Sequence, residues 1–325
     1  MVQVDLITGF LGAGKTTFLR RYVRYLVAQG HNVCILENDF GAVNVDAMLV
    51  QDLLGPNCDL ETISGGCDCD THQRRMRTKL IAMAMRGFDR VVVEPSGIFD
   101  VDEFFDVLRD DPLDRWYHIG NVIAIVDAML PETLSPQAEY VLASETANAG
   151  RVLVSRTQLA GQQQTAAAVA HLTRALEGCK CSRRFAPEEI ITKDWARLTD
   201  ADLAAIAACG CRQASAAMTI GCRQASCEKL HFDEHEAFSS LCFLEQHLTL
   251  QQLQAAADHL FADAACGHVL RVKGFAPDPQ GTTGWLELNA TAAGRTLEPI
   301  PQGQDVLIVI GEGLDRARIE TQLHR

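Results

Sequence analysis

The sequence VDLITGFLGAGKTTFLRRY, residues 4–22, places a glycine-rich turn between an apolar run typical of a β-strand and a segment with helical spacing. Residues 9–16 match the pattern G-x-x-x-x-G-K-[ST]. The glycines let the backbone turn tightly, so that successive N–H groups point at bound phosphates, and the following helix adds its positive end. We expect Lys15 to reach the β- and γ-phosphates and Thr16 to ligate Mg²⁺.

Strand-like apolar runs alternate with helical patterns on both sides of this loop. Such alternation predicts a parallel sheet covered by helices on both faces. The strand patterns cover residues 2–7, 32–36, 89–93, 121–126 and 151–154, and the main helical patterns cover 16–29, 74–85 and 162–176.

The pattern changes after about Ile191, where a mixed region precedes a helix and several further strand patterns. The helix is predicted over 250–262, with Thr249 as its N-cap. The fold class is therefore α/β, a P-loop NTPase domain with a parallel sheet followed by a smaller α+β domain. The predicted parts are the nucleotide-binding domain at 1–194, a linker at 195–228 that contains GCRQAS twice, and the C-terminal domain at 229–325.

Composition narrows the class of partner. The 325 residues carry a formal net charge of −13, which disfavours nucleic acid and anionic membranes as partners. The N-terminal sequence shows no basic leader or cleavage site, so a cytoplasmic location is expected. The 12 cysteines are then expected to be reduced and mostly packed as small core residues.

An acid closes the strand-like run VVVEPSG, residues 91–97. Since the carboxyl ends of parallel strands line the ligand crevice, Glu94 is expected to hold Mg²⁺ or its waters and Gly97 to approach the γ-phosphate. Lys15, Thr16 and Glu94 are assigned to catalysis. The residues assigned to the phosphates are Gly9, Gly12, Ala13, Gly14, Lys15, Thr16 and Thr17, together with Glu94 and Gly97.

Four segments taken together resemble the CobW family, part of the CobW/HypB/UreG group of P-loop GTPases. They are TGFLGAGKTT at 8–17, ILENDFGAVNVD at 35–46, ISGGCDCDT at 63–71 and VVVEPSG at 91–97. The resemblance implies GTP and GDP as ligands, Mg²⁺ as cofactor, and a role as metal chaperone or metallocentre-assembly factor with a client metalloenzyme. It leaves a homodimer open. It also places Asp39 in the segment that responds to the γ-phosphate.

The family's metal motif, Cys-x-Cys-Cys, is altered in this chain. Cys67 and Cys69 keep two of the thiols, and Asp70 stands where the third is usual. Two thiolates with a carboxylate can hold zinc or cobalt, although the carboxylate makes the site less thiophilic. The alternative is a pair of loop cysteines without a ligand. Further candidate ligands are Glu37, Cys58, His72 and His118.

The base-recognition motif Asn-Lys-x-Asp of related GTPases is altered as well. The segment RVLVSRTQL, residues 151–159, sets Ser155, Arg156 and Gln158 at the aligned positions. Arg156 can stack on a base, but the amide of Gln158 lacks the charge of an aspartate. GTP remains the first expectation, and ATP is the competitor.

Two functional hypotheses follow. The first is a GTP-hydrolysing metallochaperone, or a cobalamin-related assembly factor, in which nucleotide state alters metal affinity. The second is a nucleotide-gated partner of a metal- or cobalamin-dependent enzyme that carries no metal. No residue stands out as the one that positions the attacking water, so slow intrinsic hydrolysis is expected.

Overall fold

The computed structural model divides into two compact units. The first contains Met1–Phe40 and Val50–His231, and the second contains Gly41–Leu49 and Phe232–Arg325. Within these bounds the structure describes residues 1–39, 49–64, 69–96, 101–212, 238–281, 284–300 and 303–323.

A parallel sheet forms the centre of the first unit. Its seven described strands are β1 (Val2–Thr8), β2 (Val33–Asp39), β3 (Cys58–Ser64), β4 (Arg90–Glu94), β5 (Tyr117–Asp127), β6 (Arg151–Ser155) and β7 (Ile190–Ile191). They lie in the order β3-β2-β4-β1-β5-β6-β7, and every described pairing is parallel. The central strands are apolar runs buried on both faces, as in β4 where Val91, Val92 and Val93 are fully buried.

Helices cover this sheet. The described ones are α1 (Lys15–Ala28), α2 (Cys69–Ala84), α3 (Val101–Arg109), α4 (Leu113–Trp116), α5 (Pro136–Ala147), α6 (Thr157–Gly178) and α7 (Asp200–Ile206). Helix α1 buries Phe18, Leu19 and Tyr22 in a core shared with strand residues such as Ile35 and Ile123. The buried side chains of α1 recur at intervals of three and four residues, which is the amphipathic pattern seen in its sequence.

The second unit is built on antiparallel strands. These are β8 (Ser239–Leu244), β9 (His268–Pro277), β10 (Trp285–Thr291), β11 (Gly294–Ile300) and β12 (Val306–Glu312), in the order β11-β10-β9-β12-β8. Helices α8 (Leu250–Ala262) and α9 (Arg316–Leu323) bury Leu253, Leu260 and Ile319 in the same core as Val272 and Leu307 of the sheet. The predicted class, α/β followed by a smaller α+β domain, is confirmed.

The chain between residues 195 and 212 is folded onto the first unit. A 3₁₀ turn at Trp195–Arg197 precedes α7, and Leu198, Leu203 and Ile206 are buried in the core that contains α1. The apolar residues of this stretch therefore pack as part of the first unit rather than as an extended connection. The second GCRQAS copy and the end of the first lie outside the described residues, and the boundaries at 194 and 228 stay a prediction.

Candidate functional site

The glycine-rich loop joins the end of β1 to the start of α1 at the carboxyl edge of the parallel sheet. Gly9, Gly12 and Gly14 all have positive φ, with values of 143°, 74° and 101°. A Cβ on Gly9 would lie 2.3 Å from the carbonyl oxygen of Ile125 in β5. The loop conformation therefore requires glycine at its first position, for the backbone angle and for the close approach to the neighbouring strand.

Lys15 and Thr16 extend from the first turn of α1 towards the loop and β4. Lys15 is buried, and its Nζ donates a hydrogen bond to the carbonyl oxygen of Gly9 at 2.7 Å. Thr16 Oγ1 donates to Oε1 of Glu94 at 2.8 Å, which joins two residues 78 positions apart in the chain. The predicted phosphate lysine, magnesium-ligating threonine and strand-end acid are thus brought together.

A second carboxylate stands beside Glu94. Glu37 of β2 is paired in register with Glu94 of β4, and the two side chains are 1% and 7% exposed. Two ionised carboxylates buried on adjacent strands repel each other, and a bound cation or a proton on one of them relieves the repulsion. The hydroxyl of Thr16 with these two carboxylates is an all-oxygen donor set, which suits Mg²⁺.

Arg156 links the base-recognition segment to the phosphate loop. Its guanidinium donates to the carboxylate of Asp127 at the end of β5 and, at 3.0 Å, to the carbonyl oxygen of Gly12. Burial raises the pKa of Asp127, while Arg156 and the backbone N–H of Met129 favour its charged form. Arg156 has a left-handed backbone at φ 55°, so it turns the chain into α6 while it braces the loop.

Glu145 lies behind the loop near the end of α5. Its carboxyl group is 1% exposed, and burial raises its pKa to about 8, an effect opposed by the charge of Lys15 and by the N–H of Gly9. The carbonyl oxygen of Glu145 also accepts a hydrogen bond from Thr8 Oγ1 at 2.6 Å. Helix α5 therefore fixes the point where β1 passes into the loop.

The other predicted site residues are placed as follows. Ser155 is buried at the end of β6 and Gln158 is exposed in the first turn of α6. Cys67 and Gly97 lie outside the described residues. Cys69 and Asp70 begin α2 and Asp39 ends β2, but their side chains are not among those described. The arrangement of the predicted metal motif stays a prediction.

Two of the further metal candidates have clear surroundings. Burial raises the pKa of the Cys58 thiol to about 11, so the metal-free thiol stays protonated near neutral pH. His118 is exposed on β5. Among the side chains that the structure describes, no group of three or more His, Cys, Asp and Glu residues could hold a metal ion. The described helices also include none long and apolar enough to cross a bilayer.

The sequence of this chain matches a known protein-family model. Residues 3–182, more than half of the chain, match the family model described as CobW/HypB/UreG, nucleotide-binding domain. The chain belongs to the CobW/HypB/UreG family. The matched stretch runs from the start of β1 to the residues after α6, and so contains the phosphate loop, Glu94 and Arg156.

Three curated relatives are similar to this CobW/HypB/UreG chain over part of their length. Zinc chaperone YjiA of Escherichia coli (strain K12) is 31% identical over 173 residues, which is 50% of this chain and 52% of YjiA. Zinc chaperone YeiR of the same strain is 30% identical and covers 40% of this chain and 39% of YeiR. Zinc chaperone CobW of Pseudomonas aeruginosa (strain PAO1) is 35% identical and covers 39% and 36%. The matches span about a third to a half of these relatives.

Three residues of the site were not predicted in the roles that the geometry suggests. The sequence places Glu37 in the segment that responds to the γ-phosphate and among the candidate transition-metal ligands, but it predicts no role for Asp127 or Glu145. Asp127 ends an apolar strand run, the same signal that identified Glu94, and could have been found from it. Glu145 carries no such signal, since only the packing of α5 against the loop brings it there.

Proposed function

We propose that this CobW/HypB/UreG protein binds and slowly hydrolyses GTP with Mg²⁺. The observation that carries the proposal is the convergence of the loop at 9–14, the buried Lys15, and the contact of Thr16 with Glu94. Phosphate oxygens would replace the carbonyl of Gly9 as partner of Lys15. The N–H groups of the loop and the start of α1 would bind the same phosphates.

Thr16, Glu94 and Glu37 are the residues proposed to hold Mg²⁺ or its waters. The ion would offset the charge of the phosphates during transfer to water. Asp39 and Gly97 are proposed to face the γ-phosphate from β2 and from the segment after β4. No described residue is assigned to position the attacking water, which is why we expect slow hydrolysis without a partner.

We further propose that the chain is a metallochaperone that delivers zinc, or cobalt, to a client metalloenzyme. The support is the name zinc chaperone carried by three relatives, together with Cys67, Cys69 and Asp70 in the segment between β3 and α2. That segment follows β3, which pairs in parallel with β2. Both strands end at the carboxyl edge of the sheet, close to Glu37. A change at the γ-phosphate would therefore act close to the cysteines.

The second candidate is a nucleotide-gated binding partner without metal cargo, which serves a metal- or cobalamin-dependent enzyme. The replacement of the third thiol by Asp70 favours it, because a mixed sulfur and oxygen set retains a soft ion less tightly. This candidate predicts no bound metal after purification and no effect of Cys67→Ser on nucleotide hydrolysis.

A zinc titration in two nucleotide states separates the candidates. Zinc affinity is measured for the protein with a non-hydrolysable GTP analogue and with GDP, and phosphate release from GTP is followed in the same preparation. The metallochaperone predicts different zinc affinities in the two states and loss of tight binding in Cys67→Ser/Cys69→Ser, because coupling requires differential affinity. Cys266→Ser, which alters a buried cysteine of the second unit, is the control. Equal affinities in both states would refute the coupling.

A further inference from the structure

A groove of about 840 Å³ runs along α6 in the first unit. One wall is the exposed face of α6, beginning at Thr157 and Gln158. The other wall is the chain around β7, ending at Asp194 and Arg197. Because β6 ends at Ser155 and β7 at Ile191, the groove opens at the carboxyl edge of the parallel sheet, where ligands of such folds bind.

This groove begins beside the phosphate loop. A Cβ on Gly14 would lie 3.5 Å from the ring of Trp195 and 3.8 Å from Cβ of Ser155. Arg21 of α1 donates to the carbonyl oxygens of Trp195 and Leu198, which ties this segment to the helix that follows the loop. A nucleotide with its phosphates in the loop therefore has the groove within reach of its base.

Buried polar atoms at the junction point to a ligand as well. Ser155 is 3% exposed, and its Oγ has no hydrogen-bond partner among the described residues. The buried Nε1 of Trp195 also has no hydrogen-bond partner among the described residues. Since buried polar atoms are nearly always paired, two unpaired ones beside Gly14 indicate a group that completes them when bound.

The charges in the groove match guanine. Guanine donates from N1–H and its exocyclic amine, and it accepts at O6 and N7, where an arginine fork fits. Asp194 and Arg197 stand at the two ends of the 3₁₀ turn and offer a carboxylate and a guanidinium. Gln158 offers only a neutral amide on the opposite wall. Adenine has an amine where guanine has O6. That amine would face the guanidinium of Arg197, donor against donor, and no hydrogen bond could form.

We propose that this groove holds the nucleotide base and that Asp194 and Arg197, rather than Gln158, select guanine. The inference rests on the proposed function, since it presumes a nucleotide in the loop. Related GTPases carry an aspartate at the start of the helix that follows their equivalent of β6. In this chain Asp194, on the opposite wall of the groove, would supply that carboxylate instead. Asp194 Oδ1 already accepts the N–H of Ala196 at 3.0 Å, and a carboxylate has further lone pairs for the base.

Asp194→Asn tests the proposal while it preserves the turn, because asparagine caps the Ala196 N–H as well as aspartate does. Affinities of fluorescent GTP, ATP and xanthosine triphosphate are measured for each protein. We expect GTP to bind the variant on the order of tenfold more weakly and ATP to be unaffected. Xanthosine triphosphate should gain affinity, since xanthine has a carbonyl where guanine has its amine and the asparagine amide can donate to it.

Arg197→Ala is the second arm, and it should reduce the preference for GTP over ATP by weakening GTP alone. Asp200→Asn, an exposed aspartate at the start of α7 and outside the groove, is the matched control and should change nothing. An unchanged GTP-to-ATP ratio in both groove variants, or a wild-type preference for ATP, would overturn the inference. Absence of any nucleotide binding by the wild type would instead overturn the proposed function.

Discussion

Glu145 shows how a single buried carboxyl group can influence the phosphate loop. It is 1% exposed, and its backbone carbonyl accepts a hydrogen bond from Thr8. The charge of Lys15 and the N–H of Gly9 both lower the pKa of its carboxyl group, against the effect of burial. When ionised, it would compete with phosphate for the charge of Lys15. When protonated, it leaves Lys15 to the nucleotide.

Glu145→Gln is expected to remove a pH dependence of stability. Burial raises the pKa of Glu145 from an ordinary 4.5 to about 8, so the folded chain keeps a proton that the unfolded chain releases. The stabilising contribution of Glu145 is then complete below about pH 4.5 and is lost as pH rises through about 8. Relative to wild type, the variant should gain on the order of a few kcal/mol of unfolding free energy across this window.

Urea unfolding of both proteins at several pH values between about 5 and 9 measures the difference. The exposed Glu132→Gln is the control and should run parallel to wild type. Parallel curves for Glu145→Gln and wild type across the whole range would show that burial of this carboxyl group has no such effect.

Residues of the phosphate loop could be predicted from the sequence because their chemistry is contained in eight consecutive positions. Glu37 could not be placed beside Glu94, since that depends on the register between β2 and β4. Likewise, Asp194 and Gln158 are 36 positions apart, and only the fold puts them on opposite walls of one groove.

Among the structural elements, the turn from β1 into α1 is the one that the site depends on most directly. Gly9→Ala is expected to abolish nucleotide binding and lower the free energy of unfolding by several kcal/mol. The methyl group would meet the carbonyl oxygen of Ile125 at 2.3 Å in addition to the strain of a positive φ. Gly30→Ala is a matched control, because Gly30 has φ 89° and nothing within 4 Å of the added methyl group.

Denaturant unfolding and nucleotide binding are measured for both variants. Gly30→Ala should cost about 1 kcal/mol from backbone strain alone and leave nucleotide binding intact. An equal loss of stability in the two variants, with nucleotide binding retained by Gly9→Ala, would show that the close approach to β5 is unimportant.

Several elements are predicted well from the sequence, and several are missed. Helix α8 has the predicted bounds, and Thr249 caps it by accepting the N–H of Gln252. Helix α5 was missed because residues 140–147 are all buried, so no polar face marks it. Strands β3 and β11 were missed because they lie at sheet edges, where charged residues such as Glu61 and Glu298 interrupt the apolar pattern.

On the scale of the whole molecule, nucleotide binding is attributed to the first unit. The family match at 3–182 lies within it except for residues 41–49, and the groove residues 157–197 all lie within it. The proposed metal cargo and client protein depend on the cysteine segment, and the zinc titration tests that proposal.

Calorimetric titration of the full chain with GTP in the presence of Mg²⁺ tests the central claim most directly. Saturable binding is predicted for wild type, with affinity lowered on the order of tenfold to a hundredfold in Lys15→Ala, because a charge-assisted contact to phosphate is lost. Lys79→Ala, which removes a lysine that pairs with Glu61 on the surface, should bind like wild type. Absence of binding by both GTP and ATP, or equal GTP affinity in wild type and Lys15→Ala, would contradict the claim.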